Sequence, residues 1–426
     1  MKSGKRISLL ILFLLFTVAA RGQFPVEKQA QAIQKMFANP AGCEKYFNKT
    51  FLAQVPPERL DYIFKYYYGQ CGACTKIITV KKESDYSAKF QFLFEKNSTV
   101  DVDLVVENKE PYLISGLFFG NPVILASTFD DLIKEFKTLP GVSSLLAVKL
   151  TGNSFNTIAG YNPEKELAIG SSFKLYILSE LLRTIKEGKR NWADVVQLKE
   201  ECRSLPSGFL HSWQPGTNMT IESLASLMIS ISDNTATDNL LNIAGRENVE
   251  KMLPVTGHSN PSLDIPFLAT LDMFRLKGSP DKTLAERYLN ASDKRKFIAD
   301  VLGKIDRKKV DTWTQPLLID KIEWFASAKD LCSVMNWIRI NSENEKGNHT
   351  RNILAINPGL GISKEKWSYI GYKGGSEPGV MNMTYLLRSS GGEWYAISCG
   401  WNNPNAPVDE GRFTGLVGRA IQLLEK

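Results

Sequence analysis

The sequence predicts a mixed α/β chain in two parts (α+β, with α/β character). A small α+β unit comes first. A larger domain follows, with a five-stranded antiparallel sheet flanked by helices and a separate helical lobe. Three observations predict it. The chain has 426 residues, too many for one domain at ~100–200 residues each. Hydrophobic residues are 43% and charged residues 23%, a globular balance that excludes collagen, coiled coil and global disorder. Strand-like runs fall in three groups, at 76–119, 144–161 and 367–400, and the stretch between the last two reads as helical.

Lys2, Lys5 and Arg6 precede an apolar run, Ile7 to Ala20, and small residues follow, with Val18-Ala19-Ala20 or Ala20-Arg21-Gly22 as the cleavage site. This pattern reads as a signal peptide over residues 1–22. As a helix the run spans about 21 Å, short of the ~30 Å hydrocarbon core. No cysteine adjoins the cleavage point for a lipid anchor, and no other segment is long and apolar enough to span a membrane. The expectation is export to the periplasm or beyond, without stable membrane insertion.

Residues 24–120 read as the small unit. Val26–Phe37 has helical periodicity, and Pro56-Pro57 opens a second helix with Leu60, Ile63, Phe64 and Tyr67 on one face. Strands are expected at Lys76–Lys81, Ala88–Phe94, Val100–Val106 and Tyr112–Phe119. Helices followed by a curved antiparallel sheet resemble the cone-shaped fold of nuclear-transport-factor-2-like domains. Residues 121–130 read as a linker, and 131–426 as the second domain, which starts near Phe129. There, Ser144–Leu150 and Asn156–Tyr161 are two early strands, and Trp367–Lys373, Met383–Arg388 and Trp394–Gly400 three late ones. Ser389-Ser390-Gly391-Gly392 turns the last hairpin, and a final helix covers Glu410 to Glu425.

Formal charge is +7. The first 22 residues hold four bases (Lys2, Lys5, Arg6, Arg21) and no acid, so the remainder carries +3. Neither a basic run nor a basic patch with interleaved aromatics marks a nucleic-acid surface. His211, His258 and His349 lie far apart, outside any zinc-ligand spacing. All three read as loop residues. Of six cysteines, Cys43, Cys71 and Cys74 crowd the first unit, where a bridge from Cys43 to Cys71 or Cys74 is expected. Cys332 and Cys399 read as buried core.

Three segments carry chemistry. In Ala168-Ile169-Gly170-Ser171-Ser172-Phe173-Lys174, a glycine precedes a helix running to Glu187, and Ser171, Lys174, Leu178, Leu182 and Ile185 share its inner face. A lysine on that face is costly unless used. Burial lowers its pKa, so its neutral amine can take a proton from the serine. The helix N-terminus offers N–H groups to an oxyanion. Next, Ser232-Asp233-Asn234 joins two apolar helices, the first capped by Thr220. Ser232 can relay a proton, and Asn234 can bind an amide carbonyl and Lys174. Last, Tyr372-Lys373-Gly374-Gly375-Ser376 ends a strand where substrate can approach the backbone closely, with Lys373 attracting an anion.

SxxK, SDN 61 residues on, and K-x-G a further 141 on form the serine acyl-enzyme set of class A β-lactamases and penicillin-binding proteins. The chain resembles class A across about residues 130–426, best in AIGSSFKLY and MTIESLASLMISISDNTATDNLL. The resemblance implies Ser171 as nucleophile, Lys174 as its activator, Ser232 as proton shuttle and Lys373 as holder of a substrate carboxylate. Backbone N–H groups of Ser171 and Ser376 would form the oxyanion hole. The usual K-T-G reads Lys373-Gly374-Gly375, so a hydroxyl is missing at Gly374, which Ser376 replaces in part. Glu286-Arg287-Tyr288-Leu289-Asn290 matches the E-x-x-L-N string of the deacylating glutamate, although it lies 54 residues past Ser232 in a helix-like stretch. No cofactor is implied. The expected substrate is a small-molecule β-lactam, ester or peptidoglycan-like amide. D,D-peptidase or esterase action, or binding without turnover as a pseudoenzyme or sensor, are the alternatives.

Overall fold

Proline in the first turn and buried Val26, Ala30, Ile33 and Phe37 give α1 (Pro25–Ala38) its inward face. This helix opens a computed structural model that describes residues 24–120, 122–124 and 128–425. The signal-peptide reading lies outside the described residues. Contacts divide the chain into two units, 1–125 and 126–426.

In the first unit a short helix unread in the sequence, α2 (Lys49–Gln54), is capped by Asn48, whose side chain accepts from Phe51 N at 2.8 Å. α3 (Pro57–Cys71) buries Leu60, Phe64, Tyr67 and Cys71. The strands β1 (Cys74–Lys82), β2 (Ser87–Phe94), β3 (Ser98–Val106) and β4 (Ile114–Phe119) pair antiparallel in chain order. Phe37 centres the core. Its ring meets Phe64, Phe94 and Phe119 edge-on at 5.3, 5.0 and 5.6 Å. Two expectations change. The stretch 121–130 is not wholly linker: β5 (Val123–Ile124) pairs with Ser98 and Thr99 of β3. No bridge joins Cys43, Cys71 and Cys74, which are free. Cys43 and Cys71 each pack into the apolar core instead.

The second unit begins with α4 (Phe129–Phe136), capped by Thr128, then β6 (Val142–Thr151) and β7 (Ser154–Tyr161). After a two-residue strand β8 (Leu167–Ala168) and a 3-10 turn at Gly170–Phe173 comes α5 (Lys174–Lys186). The small strands β9 (Val195–Gln197) and β10 (Asn218–Thr220) pair with each other. The helical lobe holds α6 (Ile221–Ser230), α7 (Asn234–Ala244), α8 (Arg246–Val255), α9 (Thr270–Gly278), α10 (Leu284–Leu289) and α11 (Lys294–Asp300). β11 (Phe325–Ala326), α12 (Ala328–Asn341) and α13 (His349–Ala355) lead back to the sheet strands β12 (Trp367–Glu377), β13 (Val380–Ser389) and β14 (Trp394–Asn402). α14 (Glu410–Leu424) follows.

The main sheet is antiparallel in the order β12-β13-β14-β6-β7. It is buried on both faces, which explains the unbroken run Leu145-Leu146-Ala147-Val148. Leu145 and Ala147 pack with Phe413, Leu416 and Val417 of α14, while Leu146 and Val148 pack with the α5 and α12 core. Strand β12 is a free edge, and it runs four residues past Lys373 through both glycines to Glu377. His349 is not in a loop but starts α13 and pairs with Glu222 at 2.5 Å.

Three tethers aim the start of α5. The buried Asn402 side chain accepts from Ala168 N at 2.7 Å and donates to Ala168 O at 3.0 Å. Ile169 N donates to Trp324 O at 3.0 Å, and Phe173 stacks on Trp324 at 3.7 Å. Replacing Asn402 by leucine strands the amide and carbonyl of Ala168, at a cost of about 2 kcal/mol. Thermal unfolding of Asn402→Leu is expected to show a midpoint a few degrees lower, and an unchanged midpoint contradicts the tether.

Candidate active site

Lys174 is the first residue of α5, and it is fully buried. The sequence suggested a helix with one apolar face. In fact every residue from Lys174 to Leu182 is buried, so the amine has no route to bulk water along its own helix. It is hydrogen-bonded to Ser232 O at 2.6 Å, Ser232 Oγ at 2.9 Å and Asn234 Oδ1 at 2.8 Å. Burial, and then the charge of Lys373, hold its pKa well below the ordinary lysine value, against a weaker pull from Asp238 and Asp233. Ser171 lies one turn earlier, half-buried in the 3-10 turn. Its hydroxyl has no hydrogen-bond partner among the described residues and it lines a cleft of about 580 Å³.

Ser232 sits at the junction of α6 and α7 with a left-handed backbone, φ +58°, an uncommon conformation for a non-glycine residue. Its neighbours hold it there. Its carbonyl accepts from Lys174 and from Ser207 Oγ at 2.7 Å. The next residue, Asp233, caps α7 by accepting from Ala236 N and also accepts from Phe209 N and Leu210 N. The aspartate of the triplet is thus a structural anchor that ties a loop to the helix start. Asn234 donates to Leu205 O at 3.2 Å.

Lys373 approaches from β12, donating to Ser232 Oγ at 3.2 Å and to Gly374 O. Burial brings its pKa down to about 7. One hydroxyl therefore lies between two buried amines. Backbone meets backbone beside it. Gly170 has φ +48°, and a Cβ there would lie 2.9 Å from Ser376 N; a Cβ on Gly375 would lie 2.5 Å from Ser171 N and 2.1 Å from Ile169 O. Only glycines permit this approach of edge strand to helix start.

Ser171, Ser232, Asn234, Lys373, Gly374, Gly375 and Ser376 all line the one cleft, and Lys174 joins them through its bonds. Glu286 does not. α10 turns Leu284, Ala285 and Tyr288 inward, leaving Glu286 exposed and outside the cleft lining. The reading of Glu286 as a base for this site is corrected accordingly.

Two features escaped the sequence reading. A Cβ on Gly374 would lie 2.0 Å from the Tyr372 hydroxyl oxygen. The Tyr372 phenol, two residues earlier on the same strand face, thus fills the space of the side chain missing at 374, whose hydroxyl Ser376 was expected to replace in part. Tyr372 also lines the cleft. The signal was a tyrosine two residues before a glycine on one strand face. The second feature is an acidic end. Buried Lys277 of α9 bonds Glu323 at 2.5 Å and Glu377 at 2.7 Å, and both glutamates line the cleft. No local pattern links residues 46 and 100 positions apart.

The packing of Tyr372 gives a test. Gly374→Thr is expected to cost about 2 kcal/mol by overpacking. Combined with Tyr372→Ala, the total loss falls short of the summed single losses by about 1 kcal/mol or more. Urea unfolding of the four proteins checks this, and simple additivity contradicts the contact.

No curated protein matches the chain. Among solved structures, a β-lactamase from Sphaerobacter thermophilus DSM 20745 is 19% identical, with 70% of this chain and 96% of that chain covered and a TM-score of 0.48. A β-lactamase from Chitinophaga pinensis DSM 2588 is 15% identical, covering 70% and 98%, with a TM-score of 0.47. PBP-A is 15% identical, covering 69% and 95%, with a TM-score of 0.46. Residues 124–312 match the model of the beta-lactamase enzyme family. That match and the five-stranded antiparallel sheet flanked by helices make the fold of the second unit β-lactamase-like.

Proposed function

We propose that the second unit is a serine hydrolase that forms an acyl-enzyme on Ser171 with β-lactams or related amides and esters. The observation that carries this reading is the buried Lys174 amine, with no carboxylate bonded to it among the described residues, one turn from a serine that lines the cleft. A neutral lysine amine has two N–H donors and one lone pair. Ser232 O and Asn234 Oδ1 can only accept, so they take the two donors, and the lone pair is left for a hydroxyl. It accepts the Ser171 proton as Oγ attacks the carbonyl carbon. Backbone N–H groups of Ser171 and Ser376 stabilise the oxyanion. When the C–N or C–O bond breaks, the proton passes from Lys174 through Ser232 to the leaving group, and the serine ester remains. Asn234 orients the acyl amide. Lys373 holds a substrate carboxylate. With the leader read at residues 1–22, this chemistry would take place outside the cytoplasm.

Turnover is the second question, and the exposure of Glu286 favours a slow second step. Glu323 is bound to Lys277, and Glu377 is pushed up to about 9, first by burial and then by Glu323. Both carboxyls are engaged with Lys277, so neither is a free base for water. A penicillin-binding or D,D-peptidase reading, with a long-lived acyl-enzyme, is therefore the alternative, and a covalent sensor is its limit.

Intact-mass analysis with a fluorescent penicillin and a p-nitrophenyl ester tests the reading. An adduct on Ser171 is expected, lost in Ser171→Ala, formed about 10²–10⁴-fold more slowly in Lys174→Met, and unaltered in Glu286→Gln. No Ser171 adduct with either reagent overturns the assignment. The pH dependence gives a second test. Lys373 is charged below pH 7 and loses its charge above it. Acylation by an anionic β-lactam is therefore expected to decline above pH 7, while acylation by an uncharged ester shows no alkaline loss. Identical profiles contradict the role of Lys373.

A further inference from the structure

Strand β12 sets three cleft-lining positions in line on one face, Lys373, Gly375 and Glu377, because alternate residues share a face. Gly375 abuts Ser171 N, so the nucleophile lies between a cation and an acid about 13 Å apart along the strand. The two ends of the cleft therefore differ in charge. At the acid end, two carboxyl groups share one lysine, Lys277, whose side chain is fully buried. Glu323 is 1% exposed in its side chain, and its Oε2 is buried without a partner among the described residues. Trp313 presents its ring to Lys277 at 5.5 Å and also lines the cleft. Burial first, and then the neighbouring Glu323 carboxyl, hold the Glu377 pKa well above the ordinary carboxylate value, with a single lysine to offset both. A second cation at this end would satisfy Glu323 Oε2 and let Glu377 ionise. Aromatic rings beside carboxylates suit an organic ammonium.

We infer that Glu323 and Glu377 form a cation subsite on the acyl side of Ser171, which takes a protonated amine of the substrate's acyl group. Together with Lys373 on the leaving-group side, the subsite selects zwitterionic acyl donors. The inference rests on acyl transfer at Ser171 for its orientation, and it adds the substrate class.

Ampicillin and benzylpenicillin differ by a single amine, protonated at pH about 6.5. The second-order acylation constants of both, on the full chain, give a ratio. The wild type is expected to favour ampicillin by about tenfold or more, and Glu377→Gln and Glu323→Gln to bring the ratio toward one. A wild-type ratio of one, or a ratio kept in both variants, overturns the subsite. Glu377 is partly exposed, so Glu377→Gln decides the matter if the more buried variant fails to fold. A second arm needs no acylation. Binding of D-phenylglycinamide, mandelamide and phenylacetamide to Ser171→Ala is followed by tryptophan fluorescence. The amine is expected to bind about tenfold tighter than both neutral amides. Equal binding of all three, or of the hydroxyl and the amine, overturns the subsite. If neither penicillin acylates, the reading of Ser171 falls while these fragments still decide the cation subsite.

Discussion

A lysine amine removed wholly from water is driven toward its neutral form unless a carboxylate lies against it, and Lys174 bonds none among the described residues. Its three bonds go to Ser232 O, Ser232 Oγ and Asn234 Oδ1. Asp233, the nearest acid in sequence to these partners, spends its carboxylate on three backbone N–H groups. Asp238 accepts from Thr270 N and Leu271 N. The second amine, Lys373, adds repulsion instead of relief. Every element around the cleft contributes to this arrangement. α5 buries the lysine, the α6–α7 junction supplies the acceptors, and the free edge of β12 brings the second cation. The left-handed backbone of Ser232 is the local strain that the arrangement requires.

Much of this was legible in the sequence because it is local or periodic. The five sheet strands showed as alternating or unbroken apolar runs, and the unbroken ones proved to be buried on both faces. The serine, lysine and polar triplet were legible because each sits at a helix start or junction, where polar residues in an apolar run stand out. What depended on distant contacts was not legible. Lys277, Glu323 and Glu377 come together only through the fold. Glu286 matched a string, but α10 buries its neighbours and turns it to solvent. Gly374 read as a missing hydroxyl, and the fold shows that its missing side chain makes room for Tyr372. The two glycines after Lys373 read as a strand end, yet pairing with Met383 and Asn382 carries the strand through them. Crowded cysteines suggested a bridge, but proximity in sequence says nothing of where each thiol packs.

The cleft is polar in a directed sense. Buried amines cluster on one side of the nucleophile and carboxyls on the other; burial first holds Lys174 and Lys373 below, and Glu377 above, their ordinary pKa values. Such a site responds to a substrate's charges more than to its bulk, because bringing a complementary charge restores groups that desolvation has neutralised. The same logic separates acylation from release. The machinery for attack is assembled around Lys174, whereas the carboxyls at hand are engaged with Lys277.

The charge state of Lys174 is the central claim, and it can be measured directly. Protein labelled with ¹³C at the lysine side chains is titrated by NMR, with the Lys174 Cε resonance assigned by its loss in Lys174→Arg. The account predicts that this resonance titrates well below the ordinary lysine range. A Lys174 amine that stays charged up to that range would contradict it.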